Sequence, residues 1–461
     1  MSMHSQTLQL SPLDLIPPGY YTRIALSFRT TEYVQHLNEI CQKSIPWLGG
    51  KVLPTTTIDD KKELQVCWNE GDSPEIKHMD SLPGSYMDTA AAGMPLTTIP
   101  EDKWPLSNLI NHEIRQTGAP VLAIGVVPFS AGDGVVLCLC FHHNVVDAGG
   151  MAEVLRVWAS VICGESAPIF PSINDRVGRL GAALSAHTGA TQFGELLPDI
   201  LLASLSEYTP TPLHFVADHF ANCTSAVLKV SLVKIEQLKT RLAGQTTSPL
   251  TVNTIICAFL WCSVTRVRQK RDTTLFSSGE KSKFGTSVNG RARINPDFAN
   301  PGKDFYFGNV YLYALAELDV DSVQESPADV LSKSLPRICD AIAASYSTEK
   351  LNTNYISSLH HLISSHINKL PAGLFPAWSI SSGRDLAITS WANLGIYEMR
   401  FGDILGYPEF VRLPFAKLDS AGIVLPRKRL IESDFMEVIV MLRECDVQAL
   451  SEDEVWAEIA Y

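Results

Sequence analysis

Two apolar runs, at residues 121–129 and 135–141, are separated only by Ser130-Ala131-Gly132-Asp133-Gly134, and this pairing limits the folds open to the chain more than any other feature. Runs without polar alternation are buried on both faces, and a short connection containing glycine suits an antiparallel hairpin. Two strands at the centre of a covered sheet are therefore expected. The second run leads into a loop-like stretch, His142-His143-Asn144-Val145-Val146-Asp147-Ala148-Gly149-Gly150. Met151, Val154, Leu155, Trp158 and Ile162 then recur at helical spacing until Gly164. The helix is expected to open at Gly150 or Met151. Strand, loop and helix in this order indicate an α/β protein, in which loops at sheet ends are where sites are built.

The rest of the chain repeats that grammar. Residues 22–28 read as a strand, and a helical pattern from Thr31 through Val34, Leu37 and Cys41 stops at Pro46. Between about 164 and 219 periodicity is weak, and Thr209-Pro210-Thr211-Pro212 adds breakers, so this stretch reads as the linker. Beyond it come a strand at 227–230, a helix at 233–242, and a longer helix after Ser248-Pro249 with Ile256, Phe259, Leu260, Ser263 and Val267 on one face. Strands are expected at 284–288, 305–315, 386–391, 422–425 and 435–442. A length of 461 residues suits two large domains, divided here as 1–205 and 206–461, with a segment near 393–410 crossing over.

Charge narrows the partners. With 37 basic against 49 acidic residues the net charge is −12, which argues against nucleic acid or an anionic membrane engaged by overall charge. No basic and apolar leader pattern opens the sequence, and no window of 18 apolar residues occurs, so a cytoplasmic protein is expected. The ten cysteines include no Cys-x-x-Cys pair and read as small buried hydrophobes; no metal is expected.

A His-x-x-x-Asp spacing alone carries little, but His143 and Asp147 leave a central strand and are followed by a glycine pair opening a helix. A histidine of near-neutral pKa can take a proton from a hydroxyl or amine attacking a carbonyl. Asp147 can orient that ring or tie the loop to the scaffold through an arginine; spacing does not decide. The bland readings are that His142 and His143 are satisfied core histidines, or metal ligands together with Asp147. Neighbouring residues on a strand point to opposite faces, so only one of the two histidines enters a common pocket while the strand lasts. His360, His361 and His366 read as core or surface residues.

These residues, with Leu10-Ser11-Pro12-Leu13-Asp14, Tyr20-Tyr21-Thr22-Arg23, Pro46-Trp47-Leu48-Gly49-Gly50, the segment from Asn289-Gly290-Arg291 to Pro296, Phe307-Gly308-Asn309, Thr389-Ser390-Trp391 and Leu425-Pro426-Arg427-Lys428-Arg429, resemble in order the BAHD-type acyl-CoA-dependent acyltransferases. Within that family the fungal branch similar to trichothecene acetyltransferases is nearest. The resemblance implies two chloramphenicol-acetyltransferase-like domains, each a mixed sheet with helices, and a tunnel at their interface. It implies a monomer that takes acyl-CoA as co-substrate and passes the acyl group to a hydroxyl of a small molecule, with His143 as base. Thr389 and Trp391 would lie near the oxyanion or the acceptor. Asp147 would be structural, paired to Arg291, with Gly149 supporting the turn.

Three positions depart from the family pattern: Ala148 follows the motif aspartate in place of glycine, Asn289 stands for an aspartate, and Arg400 replaces the carboxylate of an Asp-Phe-Gly-Trp-Gly motif. Arg400 is expected to pair with Asp403 or Glu398. The departure at 400–404 keeps open a donor thioester on a carrier protein, or ring closure on the same fold. N-acyl transfer and a non-catalytic binding role are also compatible with these residues.

Overall fold

The hairpin forms from Leu122–Pro128 and Val135–His142, paired antiparallel. Tyr21–Phe28 pairs antiparallel along the other side of Val135–His142, Glu75–His78 adds in parallel to Leu122–Pro128, and Phe410–Arg412 closes the far edge against Tyr21–Phe28. Val135–His142 is thus the middle of five strands, and every residue in it is buried, which is why its sequence shows no alternation. The computed structural model describes residues 5–31, 43–56, 62–188, 198–211, 220–277, 279–370, 373–430 and 433–461. The helix expected through Val34, Leu37 and Cys41 lies outside the described residues.

A second, six-stranded sheet runs in the order Cys223–Ser231, Phe435–Arg443, Ala421–Val424, Leu386–Ser390, Lys281–Asn289 and Tyr311–Asp319. It is mixed: Leu386–Ser390 is parallel to both of its neighbours, and the remaining pairs are antiparallel. The strands expected here form with shifted ends. One of them differs more. The strand expected at 305–315 starts only at Tyr311, because the preceding carbonyls serve another purpose: those of Tyr306 and Gly308 accept from the Arg291 guanidinium.

The two sheets are fastened by the chain itself. Phe410–Arg412 follows a strand of the second sheet in sequence yet pairs into the first. Its Arg412, fully buried, forms a bidentate pair with Glu437 at 2.9 and 2.9 Å and donates to the carbonyls of Gly93 and Met94. The core beneath the first sheet accordingly continues into Trp391, Ile439 and Met441 of the second.

Two other expectations are corrected. The stretch read as a linker holds helices Arg176–Thr188 and Pro198–Ala203. Leu180 and Leu184, one turn apart, and Leu201 bury themselves in a core shared with Val310, Leu312 and Ile356; the many glycines and alanines around them hid that stripe. The long helix, Val252–Arg271, shows no single apolar face, because Thr254 through Arg268 are buried all round. It lies against the second sheet, covered by helices Leu232–Arg241, Leu335–Ser345 and Glu444–Ser451.

Candidate active site

The loop between Val135–His142 and the next helix is built around Asp147. The helix spans Ala148–Ile162 and opens earlier than its apolar spacing suggests, because Asp147 is its N-cap, with Oδ1 accepting from the Gly150 N–H at 2.9 Å. The rest of the carboxylate faces the second sheet. Arg291 donates from Nη2 to Oδ1 at 2.7 Å and from Nη1 to Oδ2 at 2.9 Å, and the Val310 N–H donates to Oδ2 at 3.1 Å. Burial alone would raise the Asp147 pKa, but the Arg291 charge and these donors more than reverse it and hold the carboxyl below its ordinary range.

Arg291, 1% exposed, spends its other hydrogens on the carbonyls of Tyr306 and Gly308, both at 2.7 Å, and on Asn289 Oδ1 at 3.3 Å. Asn289 thus offers the guanidinium an amide oxygen in place of a carboxylate. The two glycines after Ala148 admit this close approach. A Cβ on Gly149 would lie 2.9 Å from Arg291 Nη1, and one on Gly150 would lie 2.5 Å from the Phe307 carbonyl oxygen.

His143 lies four residues before that cap, and its ring lines a cavity of about 400 Å³ between the two sheets. Tyr20, Tyr21, Arg23 and Asn108 come to this cavity from one half of the chain. Ser287, Tyr311, Tyr313, Thr389, Trp391, Leu413 and Met441 come from the other. The imidazole meets Tyr20 edge to face at 5.0 Å between ring centroids and Tyr311 at 5.6 Å. Burial holds its pKa below the ordinary value, a shift that favours the neutral ring, partly offset by its own main-chain carbonyl, by Asp147 and by Asn309. His142 points to the other face of the sheet, against Tyr21 at 5.6 Å, with its pKa pushed down to about 3 by burial.

Of the residues singled out from sequence, His143, Asp147, Thr389 and Trp391 therefore share one cavity, with Gly149 and Arg291 behind it. Among the described residues no group of three or more His, Cys, Asp or Glu side chains is arranged to hold a metal ion. His360, His361 and His366 lie on helix Thr353–His366, away from the cavity. Arg400 is on the surface, paired with Asp403, while the neighbouring Phe401 is buried against Phe28 and Trp158. Sequence reasoning assigned no role to Tyr311 and Tyr313. Their spacing held the signal: residues two apart on a strand share a face, and here the alternating burial of Tyr311–Asp319 turns both phenols to the cavity.

Comparison with known proteins gives the family and the fold. A family model described as Transferase family matches residues 97–455. The trichothecene 8-O-acetyltransferase of Fusarium sporotrichioides is 27% identical over 98% of this chain and 97% of its own. The trichothecene 3-O-acetyltransferase of Saccharomyces cerevisiae is 28% identical over 99% and 96%. Among solved structures, F. graminearum TRI101 complexed with coenzyme A and T-2 mycotoxin superposes with a TM-score of 0.74 at 17% identity over 99% of both chains. Vinorine synthase superposes with 0.58 at 15% identity, over 96% of this chain and 91% of its own. Both share the two-domain mixed α/β fold.

Proposed function

The chain belongs to the Transferase family, the BAHD-type acyltransferases, and from that premise we propose that it moves a short acyl group, such as acetyl, from acyl-CoA to a hydroxyl of a small secondary-metabolite acceptor. The observation that carries the proposal is the half-buried imidazole of His143 in a cavity walled by both halves of the chain, its pKa lowered by desolvation. In the proposed reaction the acceptor hydroxyl gives its proton to His143 Nε2 as its oxygen bonds to the thioester carbonyl carbon. The tetrahedral oxyanion then collapses, the C–S bond breaks, and the CoA thiolate takes the proton from His143. Thr389 and Trp391 supply hydroxyl and indole donors on the cavity wall, where fixed donors toward developing charge are worth most. Asp147, with every hydrogen bond directed to Arg291, Gly150 and Val310, holds the loop. It takes no proton.

The acceptor is a neutral molecule in this reading, because both charged residues of the lining carry partners: Arg23 is paired with Glu101 at 2.6 Å and Asp147 with Arg291. The donor is free acyl-CoA, since Arg400, the residue that kept a carrier protein in view, is engaged with Asp403 on the surface. Residues 1–205 and 206–461 are taken as the two domains, a division supported by sheets whose strands fall on either side of it, Phe410–Arg412 excepted. No helix among the described residues is long and apolar enough to cross a membrane, and the enzyme is proposed to act as a cytoplasmic monomer. The test is a mass-spectrometric screen of acyl-CoA donors against neutral alcohols and amines, with His143→Ala and His142→Ala alongside. Loss of about 10²-fold or more in His143→Ala with a much milder effect in His142→Ala is expected. Equal losses in two folded proteins would remove His143 from the role of base.

A further inference from the structure

Strand Lys281–Asn289 turns every second residue toward the cavity side of its sheet: Lys283, Gly285, Ser287 and Asn289. Ser282 and Phe284 point the other way, against Trp261 of the long helix. Three of the four cavity-side positions are already engaged. Lys283 Nζ donates to the Ala377 carbonyl at 3.0 Å, the Trp378 indole fills the space that a Cβ on Gly285 would need, and Asn289 Oδ1 accepts from Arg291. Ser287 is left, and it lines the cavity that holds His143.

Its neighbours across the sheet give that position a task. Ser287 pairs with Tyr313 on one side. On the other side Phe284 and Gly285 pair in parallel with Leu386 and Ala387, and Thr286 Oγ1 continues the register by donating to the Ile388 carbonyl at 2.6 Å. The next step sets Ser287 beside Thr389, which pairs in turn with Ile423. All four side chains of this row line the cavity, so two short hydroxyls stand side by side between a phenol and an isoleucine. Neither hydroxyl has a hydrogen-bond partner among the described residues. Adjacent strands lie about 4.8 Å apart, too far for the two hydroxyls to bond each other and close to twice the ~2.7 Å of an O–H···O bond. A single oxygen seated between them can accept from both.

Resting on the reading of His143 as base, we infer that Ser287 is a further catalytic residue: its hydroxyl donates, together with that of Thr389, to the thioester carbonyl oxygen as that oxygen becomes the oxyanion. The base and the hydroxyl pair flank one stretch of cavity, because Tyr311 meets the His143 ring at 5.6 Å and the Tyr313 ring at 5.5 Å between centroids. The charges on the wall favour the same assignment. Arg23 and Asp147 are both paired, so neutral donors carry the stabilisation of the developing negative charge. Ser287 gives up no proton: its O–H bond stays intact while the tetrahedral intermediate forms and while the C–S bond breaks. Donors of this kind bind the oxyanion better than the ground-state carbonyl, so their loss falls on kcat rather than on KM.

Kinetics and a spectrum test this together. In the full chain, Ser287→Ala should lower kcat for acetyl-CoA hydrolysis about tenfold or more, with KM for acetyl-CoA within about threefold. Ser287→Cys, which keeps the shape but donates weakly, carries the same expectation if the alanine variant does not fold. Because the two hydroxyls would hold one atom, Ser287→Ala combined with Thr389→Ala should lose less than the product of the single losses. An unchanged kcat, a rise confined to KM, or fully multiplicative losses would overturn the inference. The spectrum needs no turnover: acetyl-CoA labelled with ¹³C at its carbonyl, bound to His143→Ala, should show a carbonyl stretch below its solution value, and adding Ser287→Ala should move it back up. A band that shifts in this way in a protein that transfers no acyl group would refute the proposed function and leave the contact standing. Acyl transfer with an unmoved band would do the reverse, and failure to bind acetyl-CoA would overturn both.

Discussion

Replacing Asp147 by Asn separates a structural carboxylate from a catalytic one. In the folded protein Oδ1 and Oδ2 accept four hydrogen bonds, two from Arg291 and one each from Gly150 and Val310. An asparagine keeps one acceptor and turns an NH2 group against donors. Arg291, 1% exposed, then retains only neutral acceptors for its charge. Loss of a helix cap alone would cost about 1 kcal/mol, whereas leaving a buried guanidinium without its counter-ion costs about 3–5 kcal/mol, and the second effect dominates here. Urea denaturation at pH 7 should show that loss in full. The sign of its pH dependence follows from the carboxyl pKa, which is depressed in the folded state. The pair stabilises fully above the unfolded value of about 3.9 and less as pH falls through the lower folded value. The gap between the natural protein and Asp147→Asn should therefore be constant above about pH 5 and shrink on acidification. Activity lost with stability unchanged would refute the argument and make Asp147 a ring-orienting group.

Three further outcomes are expected. In kcat/KM against pH, the acidic limb for acyl transfer should lie below the ordinary histidine value of about 6.5, because burial disfavours the imidazolium of His143 and activity is lost only when that ring is protonated; a limb above 7 would contradict this. Gly150→Ala should destabilise the protein by about 1–3 kcal/mol, measured by thermal unfolding, since its methyl group would meet the Phe307 carbonyl oxygen at 2.5 Å, and unchanged unfolding would show that the helix start can shift. Arg400→Asp should leave stability and KM for acyl-CoA unchanged, because Arg400 and its partner Asp403 lie on the surface at 49% and 89% side-chain exposure; a tenfold rise in KM would make Arg400 a ligand of the donor.

The parts of the fold legible in the sequence were those where one periodicity prevailed over a whole element. The unbroken runs at Leu122–Pro128 and Val135–His142 could only be central strands, and the strongly apolar Phe435–Arg443 was equally plain. Legibility failed where a segment's partners were distant. Helix Arg176–Thr188 carries Leu180 and Leu184 into a core assembled from residues near 13, 310 and 356, and within its own neighbourhood nothing distinguishes that pair from a scattering of leucines in a glycine- and alanine-rich stretch. Residues 305–310 look like strand because Phe305, Phe307 and Val310 are apolar. They are instead a buried non-sheet segment, since Arg291 takes the carbonyls that a ladder would need.

The site divides along the same line. The positions of His143 and Asp147 could be read from a loop between a buried strand and a helix. Their neighbours could not, because the two N–H groups that follow Gly308 are each met by a carboxylate from elsewhere in the chain: Asn309 by Asp14 and Val310 by Asp147. Each carboxylate has its own buried arginine, Arg176 for Asp14 and Arg291 for Asp147. This pairing has an electrostatic consequence for the base. A lone carboxylate beside a buried imidazole favours its protonated form, yet burial outweighs both Asp147 and Asp14 in setting the His143 pKa, because each negative charge faces a positive one. Two ion pairs thus anchor the loop from both sides of His143 while the pKa of the imidazole between them stays lowered, which favours the neutral ring that can accept a proton.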